Sequence, residues 1–140
     1  MDKYYLEPTQ EAGQELFTRG IQGEIVMLNL IRLNEFADYS NYPELKPKSQ
    51  ISGKQAYHKY MEHTKPFLIQ SGGELLFMGE AEKYFIGPND QQWDIVLLVK
   101  QKSLPDFMAF ASNPEYLKGI GHRMAATQDS RLLPIVMRMP

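Results

Sequence analysis

The sequence predicts an α+β fold in which an antiparallel sheet is covered by helices on one face. After an N-terminal helical segment, the remaining segments follow in the order strand, helix, strand, strand, helix, strand. This order is the split βαβ (βαββαβ) arrangement of ferredoxin-like folds. The predicted strands are also apolar on both faces, which indicates that something covers the second face. The 140 residues fit one domain, residues 1–140.

The first third of the chain predicts one helix, one strand and one long loop. Residues 9–18 are predicted to form a helix, because Pro8 precedes them and Gly20 follows them. Residues 24–33 form a nearly continuous apolar run, which is typical of a buried strand. Residues 34–51 are polar and contain two prolines, so they predict a loop that is long for a compact domain.

A second helix is predicted to begin at Ser52. Ser52 and Gln55 fit a capping box, in which each side chain bonds the other's unpaired backbone N–H. Pro66 is expected to kink this helix, and Gly72 with Gly73 is expected to end it. One buried stripe recurs along it at three- and four-residue spacing: Tyr57, Tyr60, Met61, Thr64 and Leu68.

The second half of the chain predicts three strands and two helices. Capping patterns mark both helices, and a Gly-Pro-Asn-Asp turn ends the first of the strands. The predicted elements are one strand or two short ones in residues 75–86, a strand at 93–100, a helix at 103–111, a helix capped by Asn113 with Pro114 at its first position, and a strand at 131–137.

The pattern of the strands predicts a homodimer. The two main helices can cover only one face of the sheet, so the N-terminal helix or a second subunit must cover the other. Sheet-to-sheet association is the simplest account, and a standard interface would bury about 800 Å² on each partner. In the first strand, the two opposed apolar sets are Ile25, Met27 and Ile31 against Val26, Leu28 and Leu30.

The composition excludes several classes of function. The net charge is -2 and no basic block is present, so neither nucleic acid nor a membrane surface is an expected partner. No apolar run reaches the roughly 18 residues of a membrane span, and the N-terminus is too polar for a signal peptide, so a cytoplasmic protein is expected. The absence of cysteine excludes disulfides, thiolate metal sites and thiol nucleophiles. His58 and His63 lie five residues apart, which is no metal motif, and no cofactor is expected.

Two polar residues of the first strand are candidates for ligand binding. Asn29 interrupts a run of large aliphatic residues, and a buried amide left without a partner costs about 1–3 kcal/mol. Asn29 therefore either faces a ligand or bonds a neighbouring loop. Arg32, near the end of the strand, either binds an anionic group or is solvated.

Trp93 and Asp94 open the predicted third strand and should point to opposite faces of the sheet. Trp93 belongs to the core or, in addition, lines a cavity. Asp94 shares a largely apolar face with Val96 and Leu98, where a carboxylate needs either an arginine partner such as Arg123 or a raised pKa. A raised pKa would suit a general base.

The richest polar segment is residues 113–133. His122 is either a general base near neutral pH or a histidine on the helix surface. Arg123 either clamps a carboxylate with two parallel hydrogen bonds or pairs with Asp129. Asp129 and the two residues after it are predicted to cap the helix and set a turn, with a direct ligand role as the alternative. Tyr57 and Tyr60 are core residues or present hydroxyl groups to a cavity.

The chain also resembles a bacterial family of small uncharacterised proteins, domain of unknown function thirteen-thirty, within the dimeric α/β-barrel superfamily. The resemblance covers roughly residues 8–137. Its most specific part runs from Pro114-Glu115-Tyr116 through His122-Arg123 to Asp129-Ser130-Arg131. The other segments that carry it are EIVMLNLIRLNEFADYS, SGKQAYHKYMEHTKPFLIQSGGELLFMGEA and IGPNDQQWDIVLLVKQKS.

The resemblance implies a dimeric α/β barrel, in which the sheets of two ferredoxin-like subunits pack together. It also implies a pocket between the sheet and the helices of each subunit, but it brings no assigned reaction. Relatives in the superfamily include cofactor-free monooxygenases, lactone isomerases, haem enzymes and amino-acid-sensing domains, which is an analogy at the level of fold. The His122-Arg123 pair is no haem motif.

The leading hypothesis is a small-molecule-binding homodimer, or a cofactor-independent enzyme of the monooxygenase or isomerase type. In the enzyme, Arg123 or Arg32 would anchor an anion, Asn29 would orient a carbonyl, and His122 or Asp94 would move a proton. The alternatives are a non-catalytic ligand-binding or stress-related module, and a network of ion pairs that holds the dimer together.

Overall fold

The structure is a computed structural model that describes residues 3–138, and its elements follow the predicted order. A short 3-10 turn, Pro43–Leu45, lies in the long loop. The helices and strands are α1 (Gln10–Thr18), β1 (Ile25–Leu33), α2 (Gly53–Gln70), β2 (Glu74–Glu80), β3 (Ile95–Gln101), α3 (Leu104–Ala111), α4 (Pro114–Leu117), α5 (Ile120–Ala126) and β4 (Thr127–Ile135).

The four strands form one antiparallel sheet in the order β2-β3-β1-β4, which confirms the ferredoxin-like prediction. The central strand β1 pairs with both β3 and β4, so Asn29 lies between Leu97 on one side and Leu132 on the other. Side chains of paired residues in an antiparallel ladder share a face, so this register decides which residues meet on each side of the sheet.

The predicted helix starts are confirmed because each depends on a local hydrogen bond. The hydroxyl of Thr9 accepts from the backbone N–H of Ala12 and begins α1. Ser52 and Gln55 form both bonds of the capping box at the start of α2. The remaining two helix starts are capped by the side chains of Ser103 and Asn113.

Three predicted boundaries were wrong. The strand expected at residues 75–86 ends at Glu80, and only an isolated bridge between Lys83 and Gln92 follows it. The third strand begins at Ile95, so Trp93 and Asp94 precede it. The last strand begins at Thr127, so residues 129–131 are part of β4 rather than a turn.

The predicted helix after Asn113 is divided into α4 and α5 at Gly119. His63 of α2 packs against this glycine, and a Cβ at position 119 would lie 2.2 Å from the His63 ring. The ring nitrogen Nε2 of His63 lies 2.9 Å from the carbonyl oxygen of Glu115, at the break. The helix is thus divided where His63, 52 residues before Glu115 in the chain, packs against it. Local sequence does not reveal this contact.

The helices cover one face of the sheet and leave the other face open. On the helix side, Ile25, Met27 and Ile31 of β1 are almost completely buried. On the other side, here called the outer face, Phe77 and Leu133 are more than half exposed. Helix α1 buries none of its residues, so of the two alternatives for the outer face, the one in which this helix covers it was wrong.

Among residues 3–138, no helix is both long and apolar enough to cross a membrane.

Candidate functional site

The predicted site residues lie in several places rather than in one. Tyr57, Tyr60 and Arg123 meet on the helix side of the sheet, with Asn29 on the same side. Trp93 and Asp129 lie in a second cluster on the outer face. His122 contacts the long loop after β1, and Asp94 bonds the end of β1.

The inner cluster consists of Tyr57, Tyr60, Tyr116, Arg123 and Ser130. Helix α2 supplies the first two tyrosines, α4 supplies Tyr116, α5 supplies Arg123 and β4 supplies Ser130. The hydroxyl groups of Tyr60 and Tyr116 are hydrogen-bonded at 2.7 Å, and the rings of Tyr57 and Tyr60 lie 5.4 Å apart. Ser130 lies opposite Ile31 in the ladder, so its side chain belongs to the helix side.

Tyr57 and Tyr116 of the inner cluster are held in their neutral form. Burial raises the pKa of Tyr57 and that of Tyr116, and neighbouring Tyr60 raises both further. The positive charge of Arg123 acts in the opposite direction on both pKa values. Neutral phenols are hydrogen-bond donors, so the cluster combines hydroxyl donors with one positive charge.

Arg123 is bonded to neutral oxygen atoms. One terminal nitrogen donates to the carbonyl oxygen of Leu6 at 2.9 Å, and the other donates to the hydroxyl of Ser130 at 3.3 Å. No ion pair within residues 3–138 includes Arg123. The alternatives in which Arg123 pairs with Asp94 or Asp129 were therefore wrong.

Solvent reaches the helix side of the sheet at Asn29. Its neighbours on the same face, Met27 and Ile31, are at most 2% exposed, but Asn29 itself is half-buried. Leu132, which lies opposite Asn29 in β4, is 47% exposed. The amide of Asn29 donates only to the carbonyl of Met27, at 3.2 Å. The side-chain carbonyl of Asn29 is thus placed at an opening in the helix layer.

His122 forms a pair with Tyr39. The hydroxyl of Tyr39 lies 2.7 Å from Nδ1 of His122, and the two rings meet edge to face. Burial lowers the pKa of His122, and the positive charges of Lys59 and His63 lower it further. Neutral His122 can therefore accept a hydrogen bond from the hydroxyl of Tyr39. Burial also raises the pKa of Tyr39, so the proton stays on the phenol.

The outer cluster consists of Tyr5, Tyr84, Trp93, Asp129 and Arg131. The guanidinium of Arg131 lies over two rings, 4.8 Å from the centroid of Tyr5 and 5.1 Å from that of Trp93. Its nitrogen also bonds the buried carboxylate of Asp129 at 2.7 Å. The indole N–H of Trp93 donates to the hydroxyl of Tyr84 at 2.6 Å. The polar groups of this cluster bond one another.

Asp94 and Arg32 lie outside both clusters. The carboxylate of Asp94 accepts the backbone N–H of Leu33 at 2.7 Å and so fixes the end of β1. Arg32 lies opposite Asp129 in the ladder and therefore points to the outer face. Neither residue approaches the inner cluster through any hydrogen bond of residues 3–138.

Two cavities of the structure lie away from the inner cluster. A cavity of about 580 Å³ is enclosed by the loop after β1, with Asp38, Tyr39 and Lys46 in its wall. A second, of about 340 Å³, lies beside Asp94 at the end of β1. The pocket between sheet and helices thus remains a prediction. Within residues 3–138, no group of three His, Cys, Asp or Glu side chains is placed to bind a metal.

Sequence reasoning missed Tyr39, Tyr116, Tyr5 and Leu6. Tyr39 lies in the long loop predicted at residues 34–51. Tyr116 follows the Asn113 cap in the polar segment 113–133. Tyr5 and Leu6 precede the first predicted element, and nothing in their local pattern indicates a contact with residues more than 100 positions away.

Comparison with solved structures finds a close match in a bacterial protein. Two crystal structures of the RPA0582 protein, described as a protein of unknown function from Rhodopseudomonas palustris, share 31% identity with this chain at a TM-score of 0.86. The match to the methylated form covers 98% of this chain and 97% of RPA0582. The match to the other structure covers 99% of this chain and all of RPA0582.

More distant structures share the fold alone. A dimeric ferredoxin-like protein of unknown function from Bacteroides fragilis is 13% identical at a TM-score of 0.51, over 83% of this chain and 98% of its own. SnoaB, a cofactor-independent oxygenase from Streptomyces nogalater, is 11% identical at a TM-score of 0.52, over 85% of this chain and 97% of its own. No family model matches, so membership of family thirteen-thirty remains a prediction. No curated protein matches either.

Proposed function

The chain belongs to the family of the RPA0582 protein from Rhodopseudomonas palustris, and we propose that it binds a small, partly apolar, anionic molecule as a homodimer. The ligand would lie between the sheet and the helices, against the inner cluster. Arg123 would anchor its anionic group, the tyrosine hydroxyls would donate hydrogen bonds, and Asn29 would orient a carbonyl.

The observation behind this proposal is that Arg123 has no carboxylate partner within residues 3–138. A carboxylate partner stabilises a guanidinium that is partly withdrawn from water, as Arg123 is, because its charge is costly to desolvate. Arg123 instead bonds two neutral oxygen atoms, the carbonyl of Leu6 and the hydroxyl of Ser130. Arg131, by contrast, is paired with the carboxylate of Asp129. A ligand carboxylate would supply the missing negative charge in a geometry that matches the guanidinium fork.

Binding is tested by thermal shift with a panel of aromatic and aliphatic carboxylates. We expect at least one member to raise the melting temperature of the parent protein, since a ligand that binds only the folded state stabilises it. The same compound should give no shift with Arg123→Gln and a reduced shift with Asn29→Ala. Arg19→Gln, which removes an exposed arginine just after α1, is the matched control and should behave as the parent. A shift that survives Arg123→Gln would contradict the proposal.

A second candidate is a cofactor-independent enzyme, and the His122–Tyr39 pair favours it. The lowered pKa of His122 keeps its imidazole neutral near neutral pH, which is the form that a general base requires, and the hydrogen bond with Tyr39 orients its ring. The likeness to SnoaB concerns the fold and supplies no catalytic residue. Conversion of the stabilising compound by the parent protein, with loss of turnover in Tyr39→Phe and His122→Gln, would favour the enzyme over the binding module.

The homodimer is proposed from the outer face. Leu28, Leu30, Val96 and Leu98 form an apolar surface there that no element within residues 3–138 covers completely. The B. fragilis protein of the same fold is described as dimeric. Light scattering should give about 32 kDa, twice the chain's 16.2 kDa. Leu98→Asp should yield monomer or unfolded chain, while Ile69→Asp, at an exposed apolar residue of α2, should leave the dimer intact.

A further inference from the structure

The N-terminal strap, residues 3–8, lies against the inner cluster and occupies one side of Arg123. The strap precedes α1 and forms no helix or strand of its own. Three of its backbone groups are nevertheless hydrogen-bonded to the rest of the protein. The N–H of Tyr5 donates to the carboxylate of Asp129 at 2.8 Å, and the carbonyl of Tyr5 accepts from the N–H of Ser130 at 2.9 Å. The next carbonyl, that of Leu6, accepts from Arg123 at 2.9 Å.

Arg123, Ser130 and Tyr5 form a continuous relay of hydrogen bonds. The guanidinium donates to the hydroxyl of Ser130, and that hydroxyl donates to the carbonyl of Tyr5 at 2.5 Å. Both terminal nitrogens of Arg123 are thus committed, directly or through Ser130, to carbonyl oxygens of the strap. In the closed arrangement, the fork cannot receive both oxygens of a carboxylate.

We propose that the position of the Leu6 carbonyl oxygen is the anion subsite of the inner cluster, and that a carboxylate-bearing ligand enters by displacing the strap. This inference rests on the function proposed above. A carboxylate is the stronger partner for Arg123, since it adds an opposite charge and can accept two parallel hydrogen bonds from the guanidinium fork. The exchange replaces one oxygen acceptor with another, so no donor of Arg123 is left unpaired.

The strap is held mainly by polar contacts. Tyr4 and Tyr5 are 48% and 43% exposed, and helix α1 after the strap buries no residue. The strap therefore buries little apolar surface, and segments with few buried apolar contacts are among those that open locally in folded proteins.

Labelling of arginines with phenylglyoxal in the full chain tests the proposal, because the reagent forms its adduct through two guanidinium nitrogens. We expect Tyr5→Pro, which removes the N–H bonded to Asp129 and the ring over Arg131, to speed the labelling of Arg123 by about tenfold. Tyr5→Gly keeps the N–H and should give a smaller increase. Lys3→Pro places the same rigid residue before the bonded groups and serves as the matched control. Exposed Arg19 is the internal standard and should label equally in all variants.

Benzoate supplies the second arm of the test. It should protect Arg123 from labelling, and it should bind Tyr5→Pro more tightly than the parent, because the competent open state is more populated. Equal labelling of Arg123 in the parent, Tyr5→Pro and Tyr5→Gly would overturn the strap as a displaceable wall. Faster labelling without protection by benzoate, or by any carboxylate of the panel, would overturn both the subsite and the proposed function. The two failures are therefore distinguishable.

Discussion

An arginine lies on each side of the sheet, and the two differ in what neutralises their charge. Arg131, on the outer face, bonds the carboxylate of Asp129 and lies between the rings of Tyr5 and Trp93. Arg123, on the helix side, bonds the hydroxyl of Ser130 and a backbone carbonyl. Both arginines are half-buried, so exposure does not explain the difference.

The difference separates a structural arginine from one that is available to a ligand. The groups around Arg131 are satisfied by each other, which is the arrangement expected of a framework. The groups around Arg123 are hydrogen-bonded but carry no compensating charge, which is typical of a site held ready for an anion. If this interpretation is right, the two clusters should contribute differently to the free energy of unfolding.

Among the polar residues of the two clusters, Asp129→Ala should have the largest effect. Its carboxylate accepts from Arg131, from the N–H of Tyr5 and from the N–H of Ser130, so its removal leaves three donors without this acceptor. We expect a loss of about 3 kcal/mol in the free energy of unfolding, as for other buried ion pairs that lose one partner. Urea denaturation measures it. Glu80→Ala, which removes an exposed pair with Lys54, is the control and should cost less than about 1 kcal/mol.

A smaller loss is expected for Arg123→Ala, about 1–2 kcal/mol, because its hydrogen bonds go to neutral acceptors. The same urea experiment gives the value, with Arg19→Ala as the exposed control. A loss for Arg123→Ala as large as that for Asp129→Ala would show that both arginines are framework. The proposed ligand anchor would then lose its main support.

The parts of the fold that follow from local chemistry could be predicted from the sequence. The capping side chains of Thr9, Ser52, Ser103 and Asn113 bond backbone groups two or three residues away, so their pattern is visible in sequence. The order of strands and helices follows from runs of apolar residues in the same way. The ferredoxin-like topology was therefore predictable as a whole.

The contents of the clusters were not predictable, because they depend on contacts distant in sequence. Asp129 and Ser130 have the composition of a turn, yet they lie in β4, where they pair with β1 and are also bonded by the strap 124 residues earlier. His122 and Arg123 are adjacent in sequence, but His122 is hydrogen-bonded to Tyr39, whereas Arg123 donates to the carbonyl of Leu6. Residue types indicated the site residues, but only the fold could show which of them meet.

The stability of the protein should depend on pH through His122. Because burial lowers the pKa of His122 below its usual 6.5, the folded protein binds fewer protons than the unfolded chain in this range. Stability should therefore be complete above about pH 6.5 and should fall as the pH decreases through that value toward the lower pKa of the folded state. Urea unfolding between pH 5 and pH 8 measures the slope.

His122→Gln should flatten this dependence, since it removes the titrating group. His58→Gln, at an exposed histidine paired with Glu62, is the control and should keep the slope of the parent. An unchanged slope in His122→Gln would mean that another group is responsible. The assignment of a neutral His122 as hydrogen-bond acceptor from Tyr39 would then lose its support.

The smallest effect is expected for Asn29→Ala, at most about 1 kcal/mol, although Asn29 lies in the central strand. Within residues 3–138, the amide makes one hydrogen bond, to the carbonyl of Met27. Solvent reaches Asn29 but not Met27 or Ile31 on the same face. Its loss therefore leaves neither a large cavity nor a stranded buried group. Ile31→Ala, two residues along on the same face and completely buried, is the matched control and should cost about 2–5 kcal/mol. If Asn29→Ala cost as much as Ile31→Ala, the opening above Asn29 would be part of the packed core. A stable Asn29→Ala that no longer responds to the stabilising carboxylate would instead place this amide at the binding site.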